Sequence, residues 1–175
     1  MSGNAEIPAY LAIVSKREIR RYTDETVPAD VIHRMLQAGR ATGSSRNRQP
    51  WRFYVIRNRS TLDQLAELVY APDNIKGCAL AIALVMTRPQ GFDAGRAAQN
   101  IALAAWADGV GTCPNGVRDS DAVRRLLALD EDWEVPTILS VGYPDEPLRP
   151  RRDDPDAILE RIDRKPLSEL THWID

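Results

Sequence analysis

Apolar and polar positions change periodicity several times along this 175-residue chain, and each change predicts a new element. Apolar residues recurring every three or four positions predict helices, whereas the unbroken apolar runs of the first two strands predict burial on both faces. Helices are predicted over residues 8–18, 28–40, 60–69, 93–108, 120–129 and 155–162, and strands over 52–57, 78–86 and 135–142. More helix than strand, with helices between the strands, indicates an α/β or α+β sandwich around a small sheet.

Residues at the ends of the predicted helices support these boundaries. Ser60 and Asp63 form a candidate capping box for the third helix, and Ser120 or Asp119 can cap the fifth. Gly109 follows the alanine-rich helix, where a glycine commonly ends a helix.

Length and composition predict a single domain over residues 1–175. The chain is 43% hydrophobic and 27% charged, which is typical of globular proteins. A formal net charge of −2 provides no global attraction for nucleic acid or an anionic membrane. A nucleic-acid interpretation of the arginines between residues 40 and 59 therefore lacks support, also because exposed aromatic residues are not interleaved with them.

The cysteines and histidines limit which metal or disulfide sites the protein can form, and the N-terminal residues and apolar runs bear on its cellular location. Cys78 and Cys113 lack C-x-x-C spacing, and His33 and His172 lack a second histidine at metal-ligand spacing, so neither a disulfide framework nor a metal site is predicted. Residues 1–10 do not resemble a signal peptide, and the longest apolar run, 78–86, is far short of the roughly 20 residues that span a bilayer. We expect a cytoplasmic protein.

The last thirty residues contain four prolines but also several apolar side chains that need cover. A neighbouring subunit or the core of the same chain could provide that cover, and the sequence does not distinguish between them. The apolar residues are Ile158, Leu159, Ile162, Leu167, Leu170 and Trp173.

Three polar features could bind a ligand. Lys16, Arg17 and Arg20 form a cationic group suited to a phosphate, or alternatively a solvated charged surface. Loop 41–50 places hydroxyl and amide groups beside Pro50-Trp51, as the edge and face of a polar heteroaromatic ring require; alternatively it is a turn entering a strand, with Trp51 in the core. Residues 112–116, TCPNG, could expose backbone N–H groups to a ligand or form a simple turn.

In this order, the three features resemble the nitroreductase-like flavoproteins. The matching segments are KREIRRYT at 16–23, GSSRNRQPW at 43–51, ADGVGT at 107–112, VGYP at 141–144 and RKPL at 164–167. The resemblance extends over roughly residues 8 to 172, and the N-x-Q-P-W element is its most specific part.

The resemblance implies an α+β fold: a nitroreductase-like α/β/α sandwich with a small, mostly antiparallel sheet, forming an interlocked homodimer with FMN at the interface. Residues 145–175 would then be a tail that packs on the partner subunit. Lys16, Arg17, Arg20 and Arg164 would contact the phosphate and ribityl chain of FMN. Ser44, Ser45 and Asn47 would approach the flavin from the other subunit, with Gln49 supporting the loop, and Pro114, Asn115 and Gly116 would lie along the ring.

The implied activity is an FMN-dependent oxidoreductase in which NADH or NADPH reduces the flavin and a small organic acceptor, such as a nitroaromatic or a quinone, reoxidises it. No catalytic side chain and no metal are predicted, because the chemistry belongs to FMN. The alternative is a protein that binds and sequesters FMN with little NAD(P)H turnover.

Three departures from the family pattern affect the predicted site. Glu18 stands where the family usually has serine, so a carboxylate lies beside the expected phosphate unless it turns toward a neighbouring arginine. Arg46 and Arg48 add positive charge that could favour an anionic acceptor or the phosphate of NADPH. The segment between Met86 and Asp93 is short, which predicts an open or differently covered active site.

Overall fold

The structure is a computed structural model that describes residues 8–146 and 154–174. Its α-helices are α1 (Ala9–Ser15), α2 (Ala29–Arg40), α3 (Arg59–Ala66), α4 (Pro72–Lys76), α5 (Gly91–Ala107), α6 (Ser120–Leu126), α7 (Pro155–Arg161) and α8 (Leu167–Leu170). Its strands are β1 (Trp51–Ile56), β2 (Leu80–Met86), β3 (Gly111–Asn115) and β4 (Glu134–Gly142). The strands form one antiparallel sheet in the order β1-β2-β4-β3.

Strand β2 forms the centre of the fold because both of its faces are apolar and all seven of its residues are buried. Its alternate side chains enter two different cores. Leu80, Ile82 and Leu84 pack with residues of α2 and α5 on one face. Ala81, Ala83 and Val85 pack with residues of α3, α4 and α6 on the other. The result is the expected α/β/α sandwich.

The predicted double burial is correct for β2 but wrong for β1. Among the described residues, strand β1 pairs only with β2 and is an edge strand, with Val55 37% exposed. Trp51 at its start is nonetheless buried, packed against Met86 and Ala94. Trp51 is therefore a core residue.

The largest disagreement with the sequence-based elements concerns β3. Residues 112–116 include a proline and a glycine and suggested an irregular path, yet Gly111–Asn115 is a regular strand paired with β4. Pro114 is tolerated because a strand at the edge of a sheet does not need every backbone N–H for a ladder. Helix α1 is also shorter than predicted, since it ends at Ser15 rather than at residue 18.

The predicted helix ends are confirmed in part. Asp119 caps α6, since its side chain accepts a hydrogen bond from the backbone N–H of Ala122 at 2.9 Å. Gly109 follows α5 with a φ of 79°, a left-handed conformation that glycine adopts without strain. The Ser60–Asp63 capping box is wrong, because Asn58, two residues before Ser60, caps α3 by accepting from the backbone N–H of Thr61 at 3.0 Å.

The C-terminal region is only partly covered by its own chain. Helix α7 packs against α1 and buries Ile158. Beyond it, Leu167, Leu170, Trp173 and Ile174 are 62–96% exposed. Within the described ranges, no helix is both long enough and apolar enough to cross a membrane.

Both cysteines are free and buried, which leads to a prediction about pH. Burial raises the pKa of the Cys78 thiol to about 11, well above the roughly 8.5 of an unfolded thiol. Its contribution to stability is therefore complete below about pH 8.5 and is lost as the pH rises toward 11. We expect the free energy of unfolding to fall by about 2 kcal/mol more between pH 8 and 10.5 in the wild type than in Cys78→Ala, measured by urea denaturation. Parallel pH profiles for the two proteins would contradict this.

Candidate functional site

The segment after α1 runs as an extended chain along the outer edge of β3. The backbone leaves the helix at Lys16, with φ −59° and ψ 134°. Glu18 then pairs in parallel with Thr112, and the backbone N–H of Ile19 donates to the Thr112 carbonyl oxygen at 3.0 Å. The structure thus brings together two of the three predicted polar features, the cationic group at 16–20 and the segment 112–116.

Gly111 permits this close approach. A Cβ atom at residue 111 would lie 2.6–2.8 Å from the Cβ, Cγ1 and Cγ2 atoms of Ile19, closer than van der Waals packing allows. The absence of a side chain at Gly111 therefore sets the distance between the cationic segment and β3.

Three charged side chains converge beside Cys113. Burial raises the pKa of its thiol; the positive charges of Arg20 and Lys16 oppose that rise, and the negative charge of Glu18 adds to it. The Lys16 Nζ and Glu18 Oε1 atoms form an ion pair, with the Lys16 side chain only 7% exposed. Glu18 turns toward Lys16 rather than toward an arginine.

Arg17 occupies a different position from its neighbours in sequence. Its guanidinium donates to the carbonyl oxygens of Val14 at 2.8 Å and Lys16 at 2.9 Å. These carbonyl groups belong to the end of α1, so Arg17 closes the helix while its side chain remains exposed.

A buried network of polar side chains holds β3 and the cationic segment in place. The Tyr22 hydroxyl bonds to the Ile19 carbonyl oxygen and lies 2.9 Å from Ser140 Oγ. Asn115 Nδ2 donates to the carbonyl oxygens of Cys113 and Ile138, at 2.9 and 3.0 Å. Its Oδ1 accepts from Asn74 Nδ2 at 2.9 Å. The Asn115 side chain is therefore committed to the interior, and this residue can meet a ligand on the surface of β3 only through its backbone.

The outer face of β3 offers both exposed and unsatisfied groups. Pro114 and Gly116 are exposed, and the Gly116 carbonyl accepts from the backbone N–H of Tyr70 at 3.1 Å. Thr112 Oγ1 is buried and has no hydrogen-bond partner among the described residues. An unsatisfied buried hydroxyl is uncommon in proteins, and this one lies in the strand that pairs with the cationic segment.

Loop 44–49 is held by its own hydrogen bonds in a conformation that is unusual for its residues. Ser44 Oγ accepts from the backbone N–H of Gln49 at 2.9 Å, and the Gln49 side chain donates to the Asn47 carbonyl at 3.3 Å. Arg46, Asn47 and Gln49 have φ values of 48–53°, a region that non-glycine residues seldom occupy. The side chains of Ser45 and Asn47 are exposed. Residues 45–47 form a short 3₁₀ turn within the predicted loop.

This loop and the cationic segment contact different parts of α5. Gly43, at the start of the loop, lies beside the Arg96 guanidinium, while Trp106 Nε1 donates to Ser15 Oγ at 3.0 Å. Ten residues of helix separate Arg96 from Trp106, about 15 Å along the axis. Within one chain, the polar loop therefore lies apart from the cationic group 16–20 and from segment 112–116.

Arg164 lies three residues beyond the end of α7, the helix that packs on α1. It is exposed, and its guanidinium donates to the neighbouring Asp163 carbonyl at 2.7 Å. Its predicted phosphate contact stays a prediction.

The sequence interpretation missed the buried polar residues whose hydrogen bonds hold the cationic segment and β3 in place. Tyr22 and Ser140 cross-link the cationic segment to β4, and Asn74 supports Asn115. Ser140, which stands between the apolar residues Leu139 and Val141 of a predicted strand, was the available signal, because a polar side chain inside a buried strand needs a partner.

Comparison with known proteins agrees with the fold and with the motif order. The sequence model of the nitroreductase family matches residues 13–74 and 83–143, most of the chain. This chain belongs to the nitroreductase family. A protein of Methanothermobacter thermautotrophicus, provisionally named an NADH dehydrogenase/NAD(P)H nitroreductase, is 33% identical over 159 residues, 84% of this chain and 83% of that one.

Solved structures of this family have the same architecture. A protein from Desulfovibrio desulfuricans that is provisionally named a nitroreductase was crystallised in complex with FMN. Its structure matches this chain with a TM-score of 0.79 and 29% identity, over 98% of this chain and 99% of that chain. A nitroreductase family protein from Clostridium difficile 630 has a TM-score of 0.80 over 95% of this chain and 98% of that one; at 23% identity it supports the fold alone.

Proposed function

We propose that this nitroreductase family member is an FMN-dependent NAD(P)H oxidoreductase that acts as a homodimer on a small organic acceptor. The observation that carries the proposal is the pairing of segment 16–20 with β3, a strand in which Pro114 is exposed; the charges of Lys16 and Arg20 act on its Cys113 thiol. The FMN complex of the Desulfovibrio relative supports the choice of cofactor.

The donor set at this position fits the phosphate of FMN. An ammonium and a guanidinium group bind a phosphate through charge-assisted hydrogen bonds, and a guanidinium can do so with two bonds at once. Lys16 and Arg20 would provide these groups, with Arg17 and Arg164 adding positive charge from the surface. Glu18 already neutralises part of the Lys16 charge and would have to give way to the phosphate.

The remaining predicted residues would orient the ring. Pro114, Asn115 and Gly116 would lie along it, with a backbone N–H of this segment directed at flavin N5. Ser44, Ser45 and Asn47 would reach the ring from the partner subunit. Within one chain, their loop lies apart from Lys16 and Arg20, the residues proposed to bind the phosphate. Gln49 would keep the loop in its strained conformation.

When bound, FMN supplies the exchange of two electrons between NAD(P)H and the acceptor in two separate half-reactions. The protein binds the cofactor and sets its electrostatic surroundings. Lys16 and Arg20 would favour a negatively charged cofactor, and a backbone N–H donor would stabilise charge on the ring. Solvent can supply protons, so the mechanism assigns no side-chain acid.

The homodimer would also cover the exposed end of the chain. Leu167, Leu170, Trp173 and Ile174 extend beyond α7, and we propose that this part of the tail packs on the partner subunit. Sedimentation of the FMN-loaded protein as a monomer would contradict both this and the contribution of loop 44–49 across the interface.

Three measurements test the proposed function. The purified protein should show the visible absorbance of oxidised flavin, or acquire it when FMN is added. Anaerobic NADH or NADPH should bleach one flavin per site without an acceptor, and a nitroaromatic or quinone should restore the colour. A protein that takes up no FMN would overturn the proposal. Flavin that is bound but not bleached would instead indicate an FMN-sequestering protein.

Glu18→Gln is expected to tighten FMN binding and to lower the stability of the FMN-free protein. The substitution leaves the nearly buried Lys16 ammonium without its carboxylate, at a cost of about 1–2 kcal/mol in the free energy of unfolding of the FMN-free protein. It also removes a negative charge beside the phosphate, so we expect about 5-fold tighter FMN binding and a larger rise in Tm when FMN is added.

Asp24→Asn is the matched control, because Asp24 is exposed and the change in net charge is the same. Titration of FMN fluorescence gives the affinities, and thermal melts give the Tm values. Equal FMN affinity in the two variants would show that Glu18 does not face the phosphate.

A further inference from the structure

Gly116 directly follows β3, and its backbone N–H has no hydrogen-bond acceptor among the described residues. The residue is exposed, so this N–H is open to a ligand. A glycine has wide conformational freedom, and the ladder with β4 ends one residue earlier, at Asn115. The N–H therefore keeps a fixed direction only if other contacts hold its peptide plane.

Hydrogen bonds hold the carbonyl groups on both sides of this N–H. The Asn115 carbonyl oxygen accepts from Thr137 Oγ1 of β4 at 3.2 Å. The Gly116 carbonyl oxygen accepts from the backbone N–H of Tyr70 at 3.1 Å. The peptide that joins Asn115 to Gly116 is trans and planar, so its N–H points opposite to its C=O. The hydroxyl of Thr137 therefore turns the Gly116 N–H away from β4.

The buried side chain of Asn115 fixes the residue that precedes this N–H. Its Nδ2 donates to the carbonyl oxygens of Cys113 and Ile138, and its Oδ1 accepts from Asn74 Nδ2. These bonds connect the last residue of β3 to its own strand, to β4 and to α4. Because Asn115 is only 2% exposed, a broken bond would leave a buried polar group without a partner. The side chain thus holds the backbone at the point where the pairing with β4 ends.

We propose that Asn115 and Thr137 are positioning residues, whose side chains direct the Gly116 N–H at the flavin ring and thereby help to set the reduction potential of the bound cofactor. This inference rests on the proposed function, which places residues 114–116 along the ring. A donor that is held rigidly before the ligand binds stabilises negative charge without having to reorient. Such a donor favours reduced FMN, because reduction adds negative charge to the ring.

Relaxation of the Gly116 amide in FMN-free, ¹⁵N-labelled protein tests the geometry without turnover. We expect an order parameter of about 0.85 in the wild type, as in rigid backbone, and below about 0.6 in Thr137→Val. Thr137→Ser, which keeps the hydroxyl, should restore the wild-type value. Thr61→Val is the matched control, because the Thr61 hydroxyl also donates one hydrogen bond, to Asn58 Oδ1 at 3.1 Å, but lies in α3. Equal order parameters in the two valine variants would overturn the inference.

The reduction potential of the FMN-loaded protein tests the effect on the cofactor. Thr137→Val should weaken the binding of reduced FMN about 10-fold more than that of oxidised FMN, which lowers the potential of this two-electron couple by about 30 mV. Thr137→Ser and Thr61→Val should keep the wild-type potential. Asn115→Ala should shift the potential in the same direction but also lowers stability, because it leaves the buried Asn74 amide without its partner. The nearly isosteric Thr137→Val is therefore the deciding variant.

The outcomes separate this inference from the proposed function. A protein that binds FMN and reduces an acceptor, with the same potential in Thr137→Val and Thr61→Val, would overturn the inference and leave the proposed function standing. A wild type that takes up no FMN would overturn the proposed function and the effect on the potential. The FMN-free order parameters would then still show whether Thr137 holds the Gly116 N–H.

Discussion

Replacement of both Lys16 and Arg20 by alanine is expected to give a folded protein that no longer retains FMN. The two side chains lie beside β3, where their charges act on the Cys113 thiol. Each charge-assisted contact to a phosphate contributes about 1.5–3 kcal/mol, so the double variant should bind FMN at least about 100-fold more weakly. Quenching of FMN fluorescence measures the affinity, and circular dichroism verifies the fold.

The choice of residues and of the control matters for this test. Arg17 is left in place because its guanidinium closes α1, so its removal would weaken the helix as well as the phosphate site. The double variant Arg21→Ala and Arg57→Ala changes the net charge by the same amount at exposed positions. FMN affinity that falls equally in both double variants would indicate a general electrostatic effect and contradict a phosphate site at Lys16 and Arg20.

Gly111→Ala is expected to destabilise the protein and to release FMN at the same time. The added Cβ would overlap three side-chain carbons of Ile19, so the extended segment must move away from β3. Overpacking of this kind costs about 1–3 kcal/mol, and the movement would also displace Lys16 and Arg20 from the strand. Urea denaturation and FMN titration measure the two effects.

A double-mutant cycle distinguishes this mechanism from general damage to the fold. Ile19→Gly removes all three overlapping carbons, so Gly111→Ala should cost clearly less in its presence than in the wild type. Gly77→Ala serves as control, because Gly77 has an ordinary φ of −89° and its nearest contact is at 3.5 Å. Additive effects of the two substitutions would show that residues 19 and 111 do not determine the spacing.

These experiments address the part of the site that local sequence patterns described least well. The sequence predicts that the first helix continues to residue 18, past Lys16 and Arg17. The chain instead leaves the helix at Lys16 because backbone pairing with Thr112, far away in sequence, replaces the helical hydrogen bonds. Helix propensity is worth only fractions of a kcal/mol per residue, and tertiary pairing readily outweighs it.

The sequence by itself determined the elements with strong periodicity and the family. The seven consecutive apolar residues of β2 require burial on both faces, and the apolar stripe of α2 requires a sheet to cover. Residues 43–51 and 164–167 carry a family resemblance that does not depend on coordinates.

Tertiary structure alone decided which segments meet. It made Gly111–Asn115 an edge strand and turned the Asn115 amide into the core. The physical reason is that hydrophobic periodicity records how each segment is buried, whereas pairing between distant segments depends on close approaches such as that of Gly111 and Ile19. No single segment of the sequence contains such a contact.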